Sequence, residues 1–130
     1  MPKYTAIVTI LSVLLYLYID TRVSAARRKF GVKLPAVSGN PDFERVFRAH
    51  MNTLEWMPIY LPLLWLSAIY LNDLAAAAVG IVWIIGRAMY SAGYAEAVEK
   101  RSRGFFVQAV ACLLLLIGAI AGVAMRFVSG

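Results

Sequence analysis

Four uncharged hydrophobic runs divide the chain: Tyr4 to Ile19, Trp56 to Asn72, Leu74 to Gly86, and Gly104 to Met125. A membrane-spanning helix needs about 20 predominantly apolar residues, with a range of roughly 17–25. The fourth run is long enough alone. The first reaches that length by taking in Asp20 to Val23, and the second by taking in the polar residues from Arg45 onward. The third must continue through Arg87 to about Tyr94, where only a tolerated Gly93 interrupts the pattern. The expected fold is all-α, an integral membrane four-helix bundle formed by one domain over residues 1–130. Its helices are expected at about 4–26, 44–72, 74–100 and 104–128.

The intervening segments read as connections. Arg27 to Asp42 contains Gly31, Pro35, Gly39 and Pro41, which marks a loop. Asn72 and Asp73 form a tight turn, so the second and third helices make an antiparallel hairpin. Glu96 to Arg103 joins the third helix to the fourth and reads as largely helical. Pro58 and Pro62 fall within the second helix, where each removes a backbone hydrogen bond that neighbouring helices can compensate in a membrane. Gly118 and Gly122 have the small-xxx-small spacing that lets helices approach closely. The first run resembles a signal peptide, with Lys3 before it and Ser24-Ala25-Ala26 after it, but Asp20 and Arg22 interrupt that pattern.

Composition supports the membrane assignment. The chain is 62% hydrophobic and 15% charged, against roughly a quarter charged in soluble domains. The single cysteine, Cys112, allows no intrachain disulfide, and the single histidine, His50, cannot build a His-rich metal site. A net charge of +6 would raise nucleic acid as a partner for a soluble chain. Here the cations flank apolar runs, so they are read as topology and no nucleic-acid partner is expected. Arg22, Arg27, Arg28, Lys29, Lys33, Arg45 and Arg48 surround the first loop. Arg87, Lys100, Arg101 and Arg103 surround the third connection, whereas the opposite end has Lys3 and Arg126 with Asp73. The positive-inside rule then places the first and third connections in the cytoplasm and both termini on the opposite side.

Two polar stripes carry the candidate chemistry. On a second helix, Arg45, Arg48, Asn52 and Glu55 follow spacings of three and four and share a face, with Val46, Ala49 and Thr53 elsewhere. On a third helix continued past Tyr94, Arg87, Tyr90, Tyr94 and Arg101 form a second stripe. Guanidiniums at membrane depth are costly without a function or partners. One purely structural account pairs Glu55 with Arg87 or Arg48 and makes the tyrosines an interfacial belt. It leaves too many polar groups converging for helix gluing alone. Arg27 and Arg28 taken singly are ordinary cytoplasmic flanks. His50 lies off the main face and reads as a contact to a neighbouring subunit or a headgroup. Cys112 reads as a small core hydrophobe. A cleft of arginines, one carboxylate and two phenols beside lipid suits a peptide-like thiol. The arginines would meet its carboxylates, Glu55 its ammonium, and a nearby guanidinium would favour the reactive thiolate.

The run Phe43-Glu44-Arg45-Val46-Phe47-Arg48-Ala49-His50-Met51-Asn52-Thr53-Leu54-Glu55 resembles a signature of the MAPEG family, the membrane-associated proteins in eicosanoid and glutathione metabolism. Arg87-Ala88-Met89-Tyr90-Ser91-Ala92-Gly93-Tyr94 resembles its second signature, in the right order and spacing. The segment Ala95 to Phe105 looks like the branch of microsomal glutathione transferase type 2 and leukotriene C synthase. The resemblance implies a homotrimer with twelve transmembrane helices and glutathione as co-substrate, bound between subunits near the cytoplasmic face, with no metal. It implies that Arg48, Asn52, Glu55, Tyr90 and Tyr94 hold glutathione from one subunit while Arg27 and His50 reach in from the next. Arg101 matches the arginine that lowers the thiol pKa, Arg28 one that assists at the electrophile, and Arg87 a further ligand contact. Trp56 stands where relatives usually have tyrosine, which removes a phenol hydrogen bond, and His50 replaces a glutamine of one relative.

The implied activity is conjugation of glutathione to lipophilic electrophiles arriving from the bilayer, with reduction of lipid hydroperoxides by the same thiolate and a role in detoxification. The family also has a non-catalytic lipid-binding scaffold, the five-lipoxygenase-activating member. That member lacks the equivalents of Arg48, Glu55 and Arg101, all present here. A small drug/proton exporter is disfavoured because Tyr4 to Ile19 carries no carboxylate.

Overall fold

A computed structural model describes all of residues 1–130. It contains four long helices: α1 (Lys3–Phe30), α2 (Pro41–Tyr70), α3 (Asp73–Glu96) and α4 (Ser102–Ser129), with a 3-10 turn at Val98–Arg101 before α4. Three of them, α1, α3 and α4 with its leading turn, are long and apolar enough to cross a membrane. The second helix has 30 residues, a length of about 45 Å at 1.5 Å per residue, but its N-terminal half carries the charges that set it apart.

Local chemistry sets most helix ends. Gly31 stops α1 in the left-handed region at φ 68°, a conformation that costs glycine nothing. Asn40 caps α2 by accepting from the Phe43 N–H at 3.0 Å, with Pro41 in the first turn, the residue types favoured at those positions. Asn72 caps α3 through the Ala75 N–H at 2.8 Å. Its neighbour Asp73 caps a different helix, taking the N–H groups of Thr5 at 2.9 Å and Tyr4 at 3.1 Å. The α2–α3 turn is thereby fastened to the start of α1.

The third helix ends at Glu96, earlier than the expected position near 100. Ala97 is extended, at φ −163° and ψ 148°, although neither proline nor glycine marks it. The cause lies in packing. A Cβ on Gly93 would come within 2.2 Å of the Lys100 carbonyl, so the chain folds back tightly over the last turn of α3. The second helix stops at Tyr70, two residues before the expected 72, while α1 runs on to Phe30 and α2 starts early at Pro41, where the Gly31 and Asn40 caps set the ends.

The helices run alternately up and down. Tyr60 stacks on Trp83 with ring centroids 3.7 Å apart, and both are fully buried among Val8, Met57, Leu64, Ala111 and Leu115. A smaller cluster of Val23, Ala26, Val32 and Phe43 joins α1 to the start of α2. Hydroxyls tie the helices together: Ser12 to Tyr60 at 2.8 Å, the Trp65 Nε1–H to Thr9 at 3.0 Å, and Ser67 to the Leu115 carbonyl at 2.7 Å. On α4, a Cβ at Gly122 would lie 2.8 Å from the Tyr70 backbone, so the small-residue spacing serves close contact with α2.

Replacing Tyr60 by phenylalanine removes one hydroxyl and keeps the ring stack. Interhelical bonds of this kind contribute about 0.6–1.7 kcal/mol. The variant is expected to lose that much stability in detergent unfolding, with unchanged helix content by circular dichroism.

Candidate functional site

The polar centre of the bundle forms where α2, α3 and the start of α4 meet at the end carrying the first loop. Arg87 is its middle, with 0% exposure. Its Nη2 donates to the Thr53 hydroxyl at 2.7 Å and to Asn52 Oδ1 at 3.3 Å, while Nε and Nη1 have no partner. The Thr53 hydroxyl in turn donates to the Ala49 carbonyl at 2.8 Å, which anchors Arg87 to the backbone of α2. The guanidinium lies 4.1 Å from the centroid of the Tyr90 ring. Gln108 of α4 is also fully buried, and neither atom of its amide is hydrogen-bonded.

The aromatic residues continue the cluster toward the surface. Tyr90 meets Tyr94 edge-on at 5.5 Å, and Phe105 bridges Tyr90 to Trp56 at 6.3 and 6.0 Å. The backbones can approach because Gly104 has no side chain; a Cβ there would fall 2.1 Å from the Tyr90 nitrogen. Arg101 does not share a helical stripe with Arg87, since the break at Ala97 intervenes. It arrives on the 3-10 turn and still sits 5.7 Å over the Tyr94 ring, with Nη1 donating to the Val98 carbonyl at 2.9 Å.

Other candidate residues lie elsewhere. Arg48 and Glu55 stand exposed on α2. The chain's ion pairs are Arg45–Asp42, His50–Asp20 and Lys100–Glu96. Glu55 therefore pairs with neither Arg87 nor Arg48, and the purely structural account of that acid fails. Arg45 leaves the expected α2 stripe: besides Asp42, it reaches the Pro41 and Ala95 carbonyls. Arg27 holds the first loop through the Ala36 carbonyl at 2.6 Å and lies over Phe43 at 4.9 Å. Arg28 is exposed. His50 faces α1, stacked on Tyr16 at 4.9 Å with Nε2 3.4 Å from Asp20. A single chain thus brings together Asn52, Trp56, Arg87, Tyr90, Tyr94 and Arg101, and leaves Arg27, Arg28 and His50 on another side.

Two members of the cluster escape the sequence reading. Thr53 falls on a different face from the α2 stripe by spacing, yet it is the shortest partner of Arg87. Gln108 lies within the uncharged run Gly104 to Met125. An amide inside an apolar helix was its available signal, because such a group needs partners in a membrane. The cluster has no group of three or more metal-ligating side chains. Arg87 and Arg101 have no acid in contact and lie beside edge-on aromatic rings, and the Glu55 carboxylate stands unpaired on α2, a set suited to a mostly anionic ligand carrying one cationic group.

The chain matches the MAPEG family profile over residues 5–121. It is 44% identical over 123 residues to microsomal glutathione S-transferase 2 of Homo sapiens, covering 94% of this chain and 83% of that protein. It is 40% identical over 125 residues to leukotriene C4 synthase of Rattus norvegicus, covering 96% and 83%. It is 45% identical over 117 residues to an uncharacterised protein of Synechocystis sp., covering 90% and 85%.

Replacing Thr53 by valine keeps the side-chain shape and strips Arg87 of its shortest acceptor. Hydrogen bonds to charged groups contribute about 1.5–3 kcal/mol. The valine variant is expected to lose stability in that range in thermal unfolding, and the serine variant to recover most of it.

Proposed function

This chain belongs to the MAPEG family, and on that premise we propose that it is an integral membrane glutathione transferase joining the glutathione thiolate to lipophilic electrophiles. The observation that carries this reading is the unmatched charge around Arg87. Two of its nitrogens are buried without partners, and neither Arg101 nor Arg48 has an acid in contact. An uncompensated cation at membrane depth is costly, so the arrangement is suited to a ligand that brings the missing negative charge. Glutathione has two carboxylates for Arg48, Arg87 and the Asn52 amide, and one ammonium for the free carboxylate of Glu55. Tyr90 and Tyr94 would flank its backbone. Trp56 offers an apolar edge and an indole N–H in place of a phenol.

Arg101 acts on the sulfur in this scheme. A guanidinium close to the thiol favours its ionised form, and the thiolate is the nucleophile. The thiol proton leaves to solvent, the sulfur forms a bond to the electrophilic carbon, and that carbon's bonding pair departs with a halide or stays on an opened epoxide oxygen. Arg28 polarises the electrophile. The same thiolate attacking the terminal oxygen of a lipid hydroperoxide would break the O–O bond, take the hydroxyl as a sulfenic acid and release the alkoxide, which solvent protonates to the alcohol. A second glutathione would then displace that hydroxyl as water and leave the disulfide.

Arg27 and His50 sit on the α1 side of their own chain, which suits a homotrimer in which each serves the glutathione of a neighbouring subunit. A closed ring of copies also covers the polar face of α2 bearing Arg48 and Glu55, which is costly against lipid. The surplus of arginine and lysine around the first and third connections supports a cytoplasmic site, with both termini on the opposite side.

Replacing Arg101 by alanine should keep fold and assembly while removing most thiolate absorbance of bound glutathione near neutral pH; each unit of thiol pKa recovered is about 1.36 kcal/mol. An unchanged absorbance would take Arg101 out of this role. Glu55→Gln should weaken glutathione about tenfold by calorimetry, equal to about 1.4 kcal/mol, and unchanged affinity would exclude an ammonium partner there.

A further inference from the structure

A second recess lies apart from the Arg87 cluster. At the Asp73 end, α1 is fastened to α3: the Thr5 and Tyr4 amides bond to Asp73, and Val8 sits on Gly80. Toward the first loop, α1 packs instead on the start of α2 through Val23, Ala26 and Phe43. The short side chains of Ala88, Ala92 and Ala95 on α3 leave the space opposite unfilled. The result is a groove of about 430 Å³ with Leu15 and Ile19 of α1 on its other wall, within the ~300–1,000 Å³ typical of pre-formed small-molecule sites. From Ala88 to Glu96 it runs roughly 12 Å along α3 at 1.5 Å per residue.

This apolar shaft opens into a polar mouth of about 520 Å³, and the two share Arg22, Val46, Ala95 and Glu96. The mouth holds three cations, Arg22, Lys29 and Arg45, and two acids, Asp42 and Glu96. Arg45 is paired with Asp42, and Glu96 with Lys100. Arg22 and Lys29 have no acid in contact. Partway down the shaft, the buried Ser91 hydroxyl has no partner.

We propose that this groove is a binding site for an anionic phospholipid, with an acyl chain in the α1–α3 shaft and the phosphate held by Arg22 and Lys29. The charge pattern selects the occupant. A purely apolar ligand would leave both cations unused, and a soluble anion would leave the shaft empty. Basic recesses between membrane helices are known docking places for anionic headgroups. The mouth lies at the basic end of the bundle, level with a bilayer interface if α1 and α3 span, so a lipid reaches it without leaving its leaflet. The proposal is independent of glutathione chemistry, since neither Arg22 nor Lys29 belongs to the Arg87 cluster.

The test uses the full chain reconstituted in vesicles of equal phosphatidylglycerol and phosphatidylcholine, gently re-extracted, with co-purifying lipid measured by native mass spectrometry. The wild type should retain phosphatidylglycerol preferentially. Arg22→Ala and Lys29→Ala should each lower that preference by about fivefold, in line with the contribution of one cation near an anionic surface. Ala92→Trp, which fills the shaft, should lower retention of both lipids. Glutathione affinity should be unchanged in all three variants, which separates this site from the transferase site. Equal retention of the two lipids by the wild type, or a preference that survives both alanine variants, would overturn the proposal. So would efficient linking of Ala92→Cys chains into dimers in a Cys112→Ser background, since a second copy would then occupy the groove. If the tryptophan variant does not fold, the two alanine variants decide alone.

Discussion

The guanidinium of Arg87 imposes the central constraint on this bundle. A permanently charged group with 0% exposure must be held by other polar groups or expel its helix from the membrane interior. Thr53 and Asn52 satisfy one of its nitrogens, and the Tyr90 ring covers a face. The remaining nitrogens are left bare. Partial satisfaction of this kind costs stability, and it gives the protein a fixed cationic site that would need little rearrangement to receive an anion.

The scaffold around that charge is built by close backbone approach. Gly104 lets α4 lie against the Tyr90 backbone, and Gly93 lets the turn after α3 fold onto it. Without these contacts Arg101 would be carried away on a continuous helix. With them it returns to the Tyr94 ring from outside the helix. The opposite end is held by Asp73, whose carboxylate caps α1 while Asn72 caps α3. The bundle is therefore tight at the Asp73 end, while at the other the glycine contacts gather α3 and α4 and α1 leans away from α3. Both the Arg87 cluster and the α1–α3 groove lie at that second end.

Much of this was legible in the chain itself. Run lengths and turn residues indicate the number of helices, because burying backbone polar groups in an apolar setting leaves helix as the available form. Spacings of three and four put Asn52 on one stripe of α2 and Arg87, Tyr90 and Tyr94 on one stripe of α3, and the structure joins the two at the Arg87–Asn52 bond. The failures are equally physical. Periodicity within one helix cannot show that Thr53 turns toward Arg87, since α3 decides which way α2 is rotated. It cannot show that Glu55 lacks a partner, or that Arg45 bends back to Asp42 and the end of α3.

The sequence by itself determined the helical class, the membrane environment, the clustering of cations at one end and the residue types of the MAPEG signatures, all properties of local composition and spacing. Only the tertiary structure decided where α3 stops, how Arg101 reaches the Tyr94 ring from a separate turn, which hydroxyl anchors Arg87, and that α1 and α3 part to leave a groove. Those outcomes depend on contacts between residues distant along the chain, where a missing Cβ or an unpaired charge has meaning only once another helix lies against it.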